Sequence, residues 1–398
     1  MANNISTQKY ERCCGCKACA DICPKNAITY KTDAEGFLYP EVNSDCVECG
    51  LCSKICPELN VLKPLSENEQ QFIACLDKDR ARRDKGSSGG IFGLLADALN
   101  LEGYIVCGAT FDEQLKLKHQ FAYNSAGIEK LKKSKYIQSD CSTVYSQIKE
   151  QLRKGQKVIF VGTPCQCNAL LNFVGEKRDN LVVVDFACHG VPGQELFDKC
   201  ITLYEDKHNC KIVGYSFRHK PKRYSSPQNF LLTIQKGENE FQKAGIYYEE
   251  PFYYGFQKYI TLRPSCYDCK WSNTERVSDL TLADYWGIEA VTNKWDRTDH
   301  PSLLVVNTEK GRLLFERIKD QIDWIETTKA DAVRQNGSFV HPTVQKPERS
   351  VFFKDYQMLP FDEVVRKHLT LKSRWKKDIY YAIPFPIRKM ILKITKKI

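Results

Sequence analysis

From Phe72 onward, short apolar runs alternate with longer amphipathic stretches. GYIVCGATF (103–111), KVIFVG (157–162) and LVVVDFA (181–187) are almost continuously apolar, the pattern of strands buried on both faces. GGIFGLLADALN (89–100), CSTVYSQIKEQLRKG (141–155) and TPCQCNALLNFV (163–174) read as helices. Such alternation predicts an α/β core with a mainly parallel sheet. Beyond about residue 210 the reading turns β-rich, in KIVGYSFRH and NFLLTIQK, while residues 310–328 read as helical. The first sixty residues are dominated by cysteine, and Lys63 to Gln71 read as a linker. The expected division is a cysteine module over 1–60, α/β parts over 72–150 and 151–320, and a helical region with a basic tail over 321–398.

A chain of 398 residues exceeds what one core normally covers, in keeping with that division. No apolar run is long enough for a membrane span, and the N-terminus lacks the apolar stretch of a signal peptide, so a cytoplasmic protein is expected. The net charge of +10 has one source. From Arg366 to the end there are eleven Lys/Arg against Asp378 alone, leaving 48 basic and 48 acidic residues in the rest. A chain-wide nucleic-acid surface is therefore not expected.

Nine of the nineteen cysteines fall between residues 13 and 56. A reducing cytosol argues against disulfides and for metal ligation. Cys13, Cys16, Cys19 and Cys23 form a C-x2-C-x2-C-x3-C-P run, and Cys46, Cys49, Cys52 and Cys56 repeat it. In this pattern three cysteines wrap one 4Fe-4S cluster and the fourth ligates the other. The assignment is Cys13, Cys16, Cys19 and Cys56 on one cluster, and Cys46, Cys49, Cys52 and Cys23 on the second. The module reads as a bacterial-type ferredoxin, with Cys14 as a bystander. Two zinc sites are the competing reading, but they have no use for the third and fourth cysteines of each run.

In the larger part, Thr163 suits a helix N-cap and Pro164 the first helical position, which puts Cys165 where the helix dipole favours a thiolate. Cys188 follows the strand LVVVDFA, and ligands of α/β sheets gather at such strand ends. With the loop pair Cys266 and Cys269 this makes four thiols, enough for a third cluster, for zinc, or for unliganded buried cysteines. Ser87, Ser88, Gly89 and Gly90 precede a helix and can hold a phosphate or merely cap it. Lys133 to Gln138 offer cations, hydroxyls and an amide, or form a solvated loop. Arg218, His219, Arg276, Asp279 and Asp284 are candidates for cofactor contact or for ion pairs.

Taken together, SSGGIF, SKYIQS, VGTPCQ, DFACHGVP, FRHK and CYDCKW through LADYWG resemble the family of coenzyme F-420 hydrogenase/dehydrogenase beta subunits, over roughly residues 70–290. A ferredoxin module is a frequent fusion there. The resemblance implies FAD, with Ser87, Ser88, Gly89, Gly90, Ser134, Lys135, Tyr136, Gln138 and Thr163 in its pocket. It also implies a third 4Fe-4S site on Cys165, Cys188, Cys266 and Cys269. The implied fold is a small ferredoxin-type domain followed by a larger mixed α/β flavin-binding domain. The implied activity is an oxidoreductase passing electrons between clusters, FAD and a two-electron acceptor, either a deazaflavin or a small organic substrate. The implied partners are a ferredoxin-like, hydrogenase or dehydrogenase electron partner. Similar bacterial fusions accompany polysaccharide biosynthesis and pyruvyl transferases. The alternatives are a non-catalytic electron-transfer subunit and a zinc-bearing scaffold of glycan assembly.

The tail combines Trp375, Tyr380, Tyr381 and Phe385 with Lys and Arg, and Ile387, Ile391, Leu392 and Ile394 form a helical apolar set. Peripheral contact with the inner membrane face is one expectation, and docking of a helix on protein is the other.

Overall fold

The computed structural model describes residues 4–64, 70–176, 178–220, 228–373, 375–383, 387, 388 and 390. In the cysteine module, strands β1 (Ile28–Thr32) and β2 (Leu38–Val42) form an antiparallel hairpin, Ile28 opposite Val42. Each cysteine run wraps into a short helical turn, Ala18–Asp21 and Leu51–Ile55. Each turn is entered through a left-handed residue, Lys17 in one and Gly50 in the other. The sequence duplication is thus a structural one.

The remaining strands are β3 (Gln71–Asp77), β4 (Tyr104–Phe111), β5 (Leu117–Ala122), β6 (Lys157–Val161), β7 (Leu181–Phe186), β8 (Lys211–His219), β9 (Asn229–Lys236), β10 (Asn239–Ile246), β11 (Leu280–Asp284), β12 (Ser302–Val306) and β13 (Ile322–Thr327). Eight of them form one sheet in the order β13-β3-β12-β11-β7-β6-β4-β5. The fold is α/β, as expected, and the apolar runs at 103–111, 157–162 and 181–187 are its strands β4, β6 and β7. The three stretches read as helices form Ile91–Leu101, Val144–Arg153 and Pro164–Val174.

The sheet is parallel only from β11 through β7 and β6 to β4, with antiparallel pairs on both flanks. That corrects the mainly parallel expectation. β11 returns to β12 and β4 to β5 without a crossover helix, and such connections favour antiparallel pairing. The helical reading of 310–328 holds only for Glu309–Ile318, because β13 follows. Ile322 is buried and Trp324 packs edge-on against Phe315 at 5.4 Å, so alternate residues rather than every third or fourth one face the core. β8, β9 and β10 form a separate antiparallel sheet.

Gly311 lets the helix Glu309–Ile318 rest on the backbone leading into β11, where a Cβ would lie 2.2 Å from the Asp279 carbonyl oxygen. Gly311→Ala should destabilise by about 1–3 kcal/mol through overpacking, although alanine is the better helix former. The urea midpoint measures it, and an unchanged or higher midpoint would contradict so tight a contact.

The tail helix Trp375–Ala382 docks on the body. Tyr248 Oη donates to Asp378 Oδ1 at 2.9 Å, and Lys377 Nζ donates to Tyr247 Oη at 2.8 Å. Trp375 and Ile379 stay exposed. Of the apolar set, Ile387 is exposed, while Ile391, Leu392 and Ile394 lie outside the described residues, as do Phe385 and the middle of the linker, 65–69. Among the described residues, no helix is long and apolar enough to cross a membrane.

Candidate functional site

Two cavities open in the cysteine module. One is lined by Cys13, Cys16, Cys19 and Cys56, with Cys14 beside them. The other is lined by Cys23, Cys46, Cys49 and Cys52. The fourth cysteine of each run therefore crosses to its sister cavity, as the spacing requires of a two-cluster ferredoxin. Among the described residues no group of three or more Cys, His, Asp or Glu closes on a single-ion site. The donor set is four thiols around a space, which suits a cubane.

Local contacts hold these thiols. Ala27 N–H donates to Cys23 Sγ at 3.3 Å, Tyr30 Oη lies 3.2 Å from Cys19 Sγ, and Cys56 Sγ donates to Gln8 Oε1 at 2.8 Å. Burial pushes the Cys19 thiol up to about 12 and that of Cys56 up to about 11. Neighbouring thiolates add to the rise. Thiols raised in this way give up their protons only on binding metal.

The parallel strands place the second group of thiols. β6 ends at Val161 and Thr163 begins the helix Pro164–Val174, with Thr163 N–H donating to Gln166 Oε1 at 3.0 Å. Cys165 follows, with Thr163 Oγ1 3.1 Å from its Sγ. The adjacent β7 ends at Phe186, so Cys188 emerges at the same sheet edge, where Gly190 N–H lies 3.4 Å from its Sγ. Cys266 and Cys269 close the group from the turn Pro264–Asp268. Each thiol of this group acts electrostatically on others in it. Gly190 is at φ +111, and a Cβ there would sit 2.8 Å from Cys266 Cβ, so only glycine admits this approach.

Cys14 lines the first cavity beside Cys13 and Cys16, and it acts electrostatically on Cys165 of the second group. Cys14, together with burial, pushes the Cys165 thiol up. The Cys13–Lys17 loop is fastened to the body throughout. Arg263 Nε donates to the Cys13 carbonyl at 2.6 Å, Gln138 Nε2 to that of Cys14 at 2.8 Å, Tyr145 Oη to that of Cys16 at 3.0 Å, and Lys17 Nζ to Asp140 at 2.8 Å. Arg263 escaped sequence reasoning; its one signal was its place three residues before the Cys266–Cys269 pair.

The residues the resemblance assigns to a flavin divide into two sets. Ser87, Ser88, Ser134 and Tyr136 gather around Arg218. Its guanidinium forks onto Asp284 at 2.6 and 2.8 Å and also donates to Tyr136 Oη and the Ser87 carbonyl. Ser134 N–H donates to Ser87 Oγ at 2.7 Å, and Lys220 Nζ to the Ser88 carbonyl at 2.7 Å. Arg218 sits at φ +56 in a bulge between Phe217 and His219, the kind of kink that re-aims a side chain. His300 is held down at about 4 by burial and then by the charges of Lys220 and Arg218, with Asp284 and Asp296 opposing.

The second set has structural partners. Gly89 N–H donates to Ser302 Oγ at 2.8 Å, and a Cβ on Gly89 would meet the Cys75 carbonyl at 2.6 Å. Gly90, at φ +87, starts the helix Ile91–Leu101. Lys135 Nζ donates to the carbonyls of Leu131 and Lys132, and Gln138 and Thr163 hold the cysteine loops as described. Asp279 accepts from Val183 N–H, and Arg276 is a buried ion-pair partner of Asp185 at 3.7 Å.

Residues 155–332 match the family model for the C terminus of the coenzyme F420 hydrogenase/dehydrogenase beta subunit, and residues 12–60 match that of the 4Fe-4S dicluster domain. The chain is 24% identical over 335 residues to the F subunit of the F(420)H(2) dehydrogenase of Methanosarcina mazei, covering 81% of this chain and 86% of that protein. It is 26% identical over 163 residues to the coenzyme F420-dependent sulfite reductase of Methanocaldococcus jannaschii, or 40% of this chain and 24% of that protein. A chain of the F420-reducing NiFe hydrogenase complex from Methanosarcina barkeri aligns with 77% of this chain and 90% of its own length, at 16% identity and a TM-score of 0.44.

Proposed function

We propose that this chain, which belongs to the family of coenzyme F420 hydrogenase/dehydrogenase beta subunits and carries a 4Fe-4S dicluster domain ahead of the family region, is the iron–sulfur electron-transfer subunit of an oxidoreductase. The observation that carries the reading is the lining of two cavities by interleaved cysteine quartets. Cys13, Cys16, Cys19 and Cys56 would hold one cluster, Cys23, Cys46, Cys49 and Cys52 the second, and Cys165, Cys188, Cys266 and Cys269 a third. When bound, 4Fe-4S clusters store and release single electrons, and a flavin exchanges either one or two.

The protein's own residues bind, orient and shield. Gln138, Tyr145 and Arg263 fix the Cys13–Cys16 loop against the body, so the two thiol groups keep one separation. Cys16, Cys19 and Cys56 are buried and the other thiols of the two groups half-buried, which limits the access of water. Ser87, Ser88, Ser134 and Tyr136 would hold FAD at the edge governed by Arg218, whose buried Nε has no hydrogen-bond partner among the described residues. The cation of Lys220, bonded to the Arg83 and Ser88 carbonyls beside the Arg218–Asp284 pair, suits an anionic cofactor or acceptor, which includes a phosphate-bearing flavin or deazaflavin.

The test is anaerobic: dithionite-reduced protein, freed of excess reductant, is mixed with oxidised coenzyme F420. Loss of the deazaflavin absorbance, dependent on Arg218, is the expected result. Full cluster content with no reaction would instead leave the chain a relay to a partner that holds the acceptor site.

A further inference from the structure

Arg263 is fully buried and no carboxylate pairs with it among the described residues. Its three hydrogen bonds go to neutral acceptors: the Cys13 carbonyl at 2.6 Å, Gln138 Oε1 at 2.9 Å and the Leu38 carbonyl at 2.9 Å. The rings of Tyr39 and Phe37 lie 4.2 and 5.5 Å from the guanidinium carbon. Other buried arginines keep an acid: Arg218 has Asp284, Arg349 has Glu35 and Arg276 has Asp185. The nearby acids are already engaged. Glu35 forks onto Arg349, and Asp33 accepts the amides of Glu35 and Phe37. An unpaired buried cation is costly, so an anion is missing from the account. Besides the Tyr39 hydroxyl, the groups that act on Arg263 are the sulfurs of Cys13, Cys14 and Cys266, from both thiol groups.

We infer that Arg263 is the counter-cation shared by the Cys13–Cys16–Cys19–Cys56 centre and the Cys165–Cys188–Cys266–Cys269 centre, and that its charge raises the reduction potential of both. The inference rests on the cluster assignment proposed above. A cubane held by four thiolates is anionic and gains one more negative charge on reduction, so a fixed neighbouring cation favours the reduced form. Each cavity of the cysteine module is lined by one lysine, Lys25 in the Cys23–Cys46–Cys49–Cys52 cavity and Lys17 in the other, so Arg263, bonded to the Cys13 carbonyl, is the charge that distinguishes them. Electrons entering at the Cys23–Cys46–Cys49–Cys52 cavity are drawn inward, toward Arg263.

The experiment is a redox titration of full-length anaerobic protein, followed by low-temperature EPR. Arg263→Gln should lower two of the three potentials by at least tenfold in the reduction equilibrium, about 59 mV for one electron. The third should move by less than half as much. Arg263→Lys keeps the charge and should stay within about threefold of wild type. Arg263→Gln also removes three hydrogen bonds that dock the cysteine loop, so Gln138→Glu is the second variant. It places a carboxylate against the guanidinium and should lower the same two potentials relative to Gln138→Leu, which loses the same bonds to the Cys14 and Gly15 carbonyls without adding charge, and that comparison decides the matter if Arg263→Gln does not accumulate.

Unchanged potentials in a variant that keeps its iron overturn the inference. So does an Arg263→Lys shift as large as that of Arg263→Gln, which would make the fork rather than the charge responsible. Failure of the cluster assignment is distinguishable, because it appears as low iron and sulfide in the wild type before any variant is compared.

Discussion

Replacing Cys266 with alanine is expected to lower the iron of anaerobically purified protein from about twelve to about eight per chain, since each 4Fe-4S site takes four thiolates. Cys266 lines neither cavity of the cysteine module, so the two ferredoxin-type centres should survive. The thiol that disappears belongs to a group drawn from three parts of the chain: the ends of β6 and β7 and the turn Pro264–Asp268. Burial pushes the Cys266 thiol up to about 12, with the charge of Cys269 adding to it. Without a metal such a site gains nothing from a fourth cysteine, and alanine would be tolerated with no loss of iron. The paired readout is acid-labile sulfide, which should fall in step. Iron that stays constant across wild type and Cys266→Ala would remove the third centre and leave these thiols as packing.

Arg218→Ala should destabilise the protein by about 3–5 kcal/mol, the cost of leaving one partner of a buried ion pair uncompensated. Arg218 is 3% exposed, and its fork is the main support of Asp284. Burial pushes the Asp284 carboxyl up, but Arg218 outweighs it and holds the group below the usual carboxylate range. The sign follows from linkage. A depressed carboxylate contributes stability that is complete above its unfolded value of about 3.9 and is lost as pH falls through the lower folded value. The full loss should therefore appear in urea unfolding at neutral pH and shrink toward strong acid. Arg218→Met combined with Asp284→Asn should recover much of it, because neutral groups of similar volume replace both charges. A single variant as stable as wild type at neutral pH would mean that the pair contributes nothing.

Much of this was legible in the sequence because its causes are local. A C-x2-C-x2-C-x3-C-P run dictates its own wrapping, and its repetition dictates the exchange of fourth cysteines. The runs at 157–162 and 181–187 are almost continuously apolar because both faces of β6 and β7 are packed, and that burial leaves its mark residue by residue. The strand-end rule then brought Cys165 and Cys188 to one edge. What could not be read was set by partners distant in sequence. The influence of Cys14 on Cys165 spans 151 positions of sequence. Arg263 gave no local sign of lacking an acid, since that depends on Glu35 being taken by Arg349. Gly89 and Lys135 resembled ligand contacts, yet Ser302 and the carbonyls of Leu131 and Lys132 claim them. β13 was taken for helix because Glu309–Ile318 carries its periodicity up to the edge of the strand.

The measurement that bears most directly on the account is metal and acid-labile sulfide analysis of anaerobically purified, full-length protein. Equal iron and sulfide, at not less than about eight of each per chain, with a brown colour bleached by dithionite, is the predicted result. Colourless protein holding zinc, or holding no metal, would contradict it.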